Sequence, residues 1–278
     1  MVFLSSEESV FSQEEEEGAH VLRLRGSSLG SSYLYSCEAS RARERDVIAY
    51  ITSSIPSSIS HTGAAPFDEH LRGVMLILRG WNATPEVQLA GALHSVYGTE
   101  GFQGHKVPWS ERPTIRRIAG DFAEKLAFVF CLADRESVDF LVNREVENME
   151  LARSDESPRT IKARLELGHF DISLKKREWV DFVTLTLADW LEQVEGAASK
   201  ANVHFGWQKG EAWSYRRTAY ANMAKLLHEA YGLPIAVEDH KLVYGREPPE
   251  SRHLEMKVTP AMTESAREAR MARDMYSN

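Results

Sequence analysis

From Pro66 onward the chain carries apolar residues at the spacing of helix faces, and this periodicity limits its fold more than any other feature. In HLRGVMLILRGW, Leu71, Val74, Met75 and Leu78 follow i, i+3, i+4, i+7, the stripe of an amphipathic helix. The next helix has a readable start. Thr84 suits the N-cap, Pro85 the first helical position, and Glu86 the positive end of the helix dipole. Val87, Ala90, Gly91 and His94 share one of its faces. A third helix is expected after Ser110, with Ile115, Ile118, Ala119, Phe122 and Leu126 at helical spacing. Residues 148–168 read as a polar connection with one short helix. A long helix is expected after Ser173, with Trp179, Phe182, Val183, Trp190 and Val194 toward the core and Gly196 just past its end. Another spans Glu211 to Tyr231 and stops at Gly232. Ile235–Val237 and Lys241–Tyr244 read as a hairpin around Glu238–His240. The expected fold is all-α: a helical bundle with a small C-terminal extended element.

Residues 1–65 differ in kind. Serine pairs recur, Glu14 to Glu17 form an acidic run, and Ser53 to Ser60 spells SSIPSSIS. Such a segment buries little apolar surface and is expected to be largely flexible, with a short strand at Val21–Leu24 and a helix over Arg41–Ile51 as its ordered parts. The acidic run reads as a solvated tail. The expected organisation is a flexible segment over 1–65, a helical domain over 66–250 and a charged tail over 251–278.

The 278 residues can bury a sizeable core. A formal charge of −8 supplies no cationic field for gripping a phosphate backbone, so nucleic-acid binding is not expected. No apolar run approaches the roughly 18–20 residues of a membrane span. The first residues combine a short apolar run with acidity and no basic stretch, unlike a signal or transit peptide. A cytoplasmic protein, bound to no membrane, is the expectation. Two cysteines make neither a disulfide framework nor a zinc cluster, and Cys131, inside LAFVFCLAD, is too apolar in its surroundings to serve as a nucleophile.

The residues able to do chemistry are few. His94 stands at a helix end before the glycine-bearing loop YGTEGFQGHKVP, where backbone can approach a ligand, which directs attention to Tyr97, Thr99 and Glu100 as well. His94 is accordingly expected to line the main pocket. His70 opens the preceding helix, and antiparallel packing would bring the two imidazoles together. Asp189 lies in the apolar run LADWL, where a carboxylate needs a partner. That partner is either the histidine pair or Arg216 or Arg217 on the later helix. Two imidazoles and one carboxylate suit a divalent Zn, Fe, Mn or Co ion. Glu192 and Glu195 are expected to face solvent, and Trp179, Trp190 and Trp213 to fill the core. There is no CxxC pair, HExxH helix or GxxxxGK[ST] phosphate loop.

Over residues 66–196 the spacing resembles the HD-domain superfamily of metal-dependent hydrolases, closest to its guanosine-tetraphosphate-hydrolase branch. His70 in FDEHLRGVMLIL looks like the family's first histidine. VQLAGALHSVYGT is similar to AALLHDVIEDT, which places His94 at the histidine of the HD pair. IRRIAGDFAEKLAFVF resembles the connecting helix, and LADWLEQVE the distal helix, with Asp189 as last ligand. Asp134, in CLADRESVDF, is a second candidate for that aspartate. The chain departs from the pattern at Ser95, where the pair's aspartate would stand, and at Tyr97, Gly98 and Thr99, where the acidic pair would stand. HSVYGTEGF and ADWLEQVE also resemble an uncharacterised family of HD-like proteins, a domain of unknown function.

The resemblance implies a metal-dependent hydrolase of a phosphate ester or nucleotide. In that reading His70, His94 and Asp189 hold the cation, Glu100 and Thr99 act in catalysis, and Tyr97, Arg216 and Arg217 bind the anionic ligand. Two alternatives accompany it. One is a degenerate module that binds a ligand or a protein without catalysis, for which Ser95 is the evidence. The other is an iron-dependent oxygenase drawing further ligands from His105 and His169.

Overall fold

The structure, a computed structural model, describes residues 28–55, 66–100, 107–201 and 207–255. The Val21–Leu24 strand, the acidic run, His105 and the tail beyond residue 255 lie outside the described residues. The chain divides into two compact units, Met1–Ala39 and Ser40–Asn278. Of the first, the opening turns of α1 (Ser28–Ser54) are described; the helix expected over Arg41–Ile51 is the later part of the same element.

The second unit is helical, as the periodicity requires. After α1 come α2 (Phe67–Gly80), α3 (Pro85–Leu93), α4 (Arg112–Ala119), α5 (Asp121–Leu132), α6 (Arg135–Glu147) and α7 (Met149–Ser154). A two-stranded sheet, β1 (Arg159–Lys162) and β2 (Asp171–Leu174), precedes α8 (Lys176–Ala198), α9 (Arg217–Glu229) and α10 (Pro234–Gly245). α8 is the axis of the unit. Residues 181–191 are buried without interruption, and α2, α3, α5, α9 and α10 all pack on it. Trp179 and Phe182 stack near its start, and Phe182 meets Phe130 of α5. Trp190 and Trp213 are buried as expected. No described helix is long and apolar enough to cross a membrane.

Four elements differ from the sequence reading. The helix expected after Ser110 is two helices, because Gly120 takes φ +92°, a left-handed conformation that ends α4 and lets α5 restart. The helix expected from Glu211 likewise breaks at Tyr215–Arg216, where Arg216 has φ +45°. Residues 235–244 form α10 rather than a hairpin. Pro234 occupies its first turn, where it needs no hydrogen-bond donor, and Ala236 and Val243 face inward seven residues apart. The extended element lies mid-chain instead. β1 and β2 pair antiparallel with Arg159 opposite Leu174 and Ile161 opposite Ile172, alternating buried and open positions. Ser173 therefore belongs to β2. The long helix begins at Lys176, where the Lys175 N–H donates to Glu178 Oε2 at 3.0 Å, and runs through Gly196 to Ala198.

Candidate metal centre

Helix geometry brings the two histidines level. α2 and α3 are joined by residues 81–84, with Asn82 at φ +55° turning the chain back. At 1.5 Å per residue, His70 to Gly80 and Pro85 to His94 are both runs of roughly 15 Å. His70, in the first turn of α2, and His94, the C-cap of α3, therefore meet at one end of the pair. His70 belongs to the buried stripe of α2 with Phe67, Leu71 and Val74, which turns it inward. α8 crosses this end and adds Asp189.

The three side chains converge. His70 Nε2 and His94 Nε2 lie 3.1 Å apart, and Asp189 Oδ1 lies 3.3 Å from the first and 3.1 Å from the second. Their residue exposures are 1%, 0% and 8%. Each donor is oriented from behind. His94 Nδ1 donates to the Gly91 carbonyl at 2.7 Å, His70 Nδ1 to the Glu192 carboxylate, and Gln193 Nε2 to Asp189 Oδ1 at 2.8 Å. A carbonyl can only accept, and an ionised carboxylate also only accepts, so both Nδ1 atoms carry hydrogen and both neutral rings aim Nε2 lone pairs at the centre. In those tautomers the two Nε2 lone pairs and Asp189 Oδ1 face one another with no imidazole hydrogen between them. Such a triangle suits a cation. In the metal-free chain a proton takes that part. Burial opposes the charge on His70, but its hydrogen bonds to Asp189 and Glu192 outweigh burial and raise its pKa to about 9. Burial raises Asp189 too, yet the two imidazoles hold its carboxyl well below the ordinary range.

A metal ion fits the same triangle. The donor atoms, 3.1–3.3 Å apart, are close enough together that His70, His94 and Asp189 could all bond one ion at about 2.0–2.2 Å. The carboxylate and carbonyl behind the imidazoles are the usual outer partners of ligating histidines. The buried His70, His94 and Asp189 group can hold a metal ion.

Most of the other expected site residues meet partners of their own. Tyr97 is buried, with its hydroxyl donating to Glu124 Oε1 at 3.1 Å, in a cluster with Arg112 and Arg116. Thr99 is buried near the end of the same loop. The Glu100 carboxylate accepts from the Arg135 backbone N–H at 3.0 Å, and burial raises its pKa. Arg216 forms a two-pronged pair with Asp139, and Arg217 donates both terminal nitrogens to Glu247 at 2.6 Å. A guanidinium fork matches any planar carboxylate, and both internal acids lie far along the chain, so sequence could not show the arginines to be taken. Neither pairs with Asp189, which the histidines hold. Asp134 caps α6, accepting from Ser137 N–H at 2.9 Å, and His169 approaches that aspartate at 3.9 Å. Glu195 pairs with Arg246 at the surface, but Glu192, expected in solvent, serves His70. Cys131 Sγ donates to the His94 carbonyl, and burial pushes its thiol up to about 12, so it is inert as expected. The cavity of about 610 Å³ lined by Phe140, Leu141, Arg144, Glu145 and Arg159 lies between α6, α7 and β1, and His94 is not among its walls.

A family model described as "Domain of unknown function (DUF6817)" matches residues 50–135. The matched part contains His70 and His94 and stops short of Asp189. No curated protein and no solved structure matches the chain.

Proposed function

We propose that the chain is a metal-dependent hydrolase of a phosphate ester or nucleotide, built on one divalent ion at His70, His94 and Asp189. The observation that supports it is the triangle of donor atoms 3.1–3.3 Å on a side. Three protein ligands with open positions are the usual set of a catalytic site, whereas structural sites close with four. A divalent ion held there would act as a Lewis acid and draw the pKa of a coordinated water toward neutrality. The chain's own residues would hold that ion dry and in register: Glu192 and the Gly91 carbonyl fix the rings, and Gln193 fixes the carboxylate. The HD-domain resemblance supports phosphate esters and nucleotides as the substrate class. Ser95 supplies no carboxylate, so a fourth position would fall to water or substrate. Cytoplasmic residence belongs to the same reading.

Metal analysis of protein purified without chelator tests the first step, with about one equivalent expected and retention lost in His94→Ala. Less than about a tenth of an equivalent, and none on reconstitution with Zn, Mn, Fe or Co, overturns the reading. With metal bound, a panel of phosphomonoesters, phosphodiesters and nucleotides tests the second step. Turnover that disappears with chelator and returns with metal is expected; no turnover of any member leaves a metal-binding module. An oxygenase would need uptake of oxygen with Fe(II), and the same loaded protein answers that.

A further inference from the structure

The cavity of about 610 Å³ beside α6 is no part of the metal centre, and its size is that of a binding cleft. One of its walls is a strand edge. In an antiparallel pair, alternate residues turn their N–H and C=O toward the partner strand and away from it. The Ala163 N–H donates to the Phe170 carbonyl at 2.8 Å, so in the same register Ile161 and Arg159 face β2, while Lys162 and Thr160 face outward. At Lys162 the outward groups are taken. Its N–H donates to Ser137 Oγ at 3.0 Å, and its carbonyl accepts from the Asp134 N–H at 2.9 Å. At Thr160 they are open: no group among the described residues bonds its outward N–H or C=O, and Thr160 lines the cavity.

Another wall is α6, and it sets a spacing. Ser137 meets Lys162 at one end and Glu145 meets Arg159 at the other, so α6 runs antiparallel beside β1. Between those contacts Phe140 and Arg144, four residues apart on α6, both line the cavity. Phe140 is 68% exposed and Leu151 of α7, also in the lining, 59%, and apolar surface of this kind gains from being covered. Arg144 is exposed and forms no ion pair among the described residues. The other charges of the lining are satisfied internally. Glu145 accepts from Arg159 Nε and Trp179 Nε1, each at 2.7 Å, and Asp155 accepts from the Ser157 N–H at 2.8 Å. Four helical residues rise about 6 Å and two strand residues about 6.6 Å. An extended chain laid along β1 therefore matches the step from Phe140 to Arg144 with every second side chain.

We propose that this cleft docks a short extended segment of a partner protein. The segment adds to the Thr160 edge of β1, sets an apolar side chain against Phe140 and Leu151, and sets a carboxylate two residues away against Arg144. The site is separate from the metal centre and does not rest on the hydrolase reading. The test is fluorescence anisotropy of the full-length protein with an array of labelled, end-blocked octapeptides in a serine and threonine background. Each carries Phe, Leu or Ile, with Asp or Glu two residues before or after it. Saturable binding of some members, with Kd of about 10–100 µM, is expected. N-methylation of the peptide amide that faces Thr160 should weaken binding about tenfold, and so should Thr160→Pro, which removes an N–H that β2 does not use. Arg144→Gln should erase a preference for Glu over Gln in the peptide of about twofold to fivefold. Both wild-type readings, peptide methylation and the Glu preference, decide the question should the proline variant not fold. No member bound at about 1 mM overturns the proposal. Binding indifferent to N-methylation also overturns it, and leaves a pocket for a small apolar molecule. A Glu preference that survives Arg144→Gln overturns the part given to that cation.

Discussion

Glu192 governs the centre without touching it. Its carboxylate accepts from His70 Nδ1 and so fixes which nitrogen faces Asp189. Outer partners of this kind are worth roughly 10–100-fold in metal affinity, and Glu192→Gln should weaken binding by that factor. Glu195→Gln, one of a surface pair with Arg246, should leave affinity unchanged. Competition titration with a chromophoric chelator measures both. The same carboxylates set a pH response. Because His70 is raised from 6.5 to about 9 in the folded metal-free chain, its contribution to stability is complete below about pH 6.5 and lost as pH rises through 9. The loss is on the order of 3 kcal/mol. Melting curves of chelated protein between pH 6 and 9.5 should show it, and metal-loaded protein should not, since an ion replaces the proton. His94 and Asp189 were readable from the sequence because each is a polar group among apolar neighbours, and His70 because it opens the helix that pairs with that of His94. Glu192 was not, since its apparent outward position says nothing of an imidazole 122 residues away.

At the level of elements, the centre depends on how closely α2 and α8 approach. Gly73, one turn after His70, makes the room: a Cβ there would stand 2.5 Å from Glu192 Oε1 and under 3.0 Å from two further atoms of that side chain. Gly73→Ala therefore has opposite effects on two observables. It favours α2 by about 1 kcal/mol through helix propensity. It also pushes Glu192 off His70, and metal affinity should fall about tenfold or more. A melting temperature at or above wild type with weakened metal binding is the expected pair of results. Unchanged affinity would mean Glu192 finds His70 by another rotamer. The helices themselves were legible from apolar spacing, but their breaks were not. Gly120 continues the 3.6-residue pattern across α4 and α5, and Arg216 carries no sign that its φ is +45°. The 235–244 segment shows the converse error. It read as a hairpin around Glu238–His240, but Pro234 and the packing of α10 on α9 and α8 decide for helix.

Across the whole unit, the His70, His94 and Asp189 group lies where three elements distant in sequence meet, so binding of an ion there would be coupled to folding. Residues 70, 94 and 189 come from α2, α3 and α8, and the contacts of those helices include much of the core: Leu71, Val74, Leu78, Ala90, Leu93 and Leu185 are all fully buried. Separating the helices destroys the triangle, and an unfolded chain offers the ion only scattered imidazoles and carboxylates. An ion that binds the native state alone stabilises it by RT ln(1 + [M]/Kd), about 2.7 kcal/mol at a hundred times Kd. For a unit of this size that is a rise of roughly 5–10 °C in melting temperature. The rise should grow logarithmically with free metal, vanish with chelator and be absent in His94→Ala, whose own melting temperature should not respond to metal. A wild-type melting temperature that ignores metal over three decades of concentration would show that the triangle holds no ion, and that its proton on His70 is the only cation it takes.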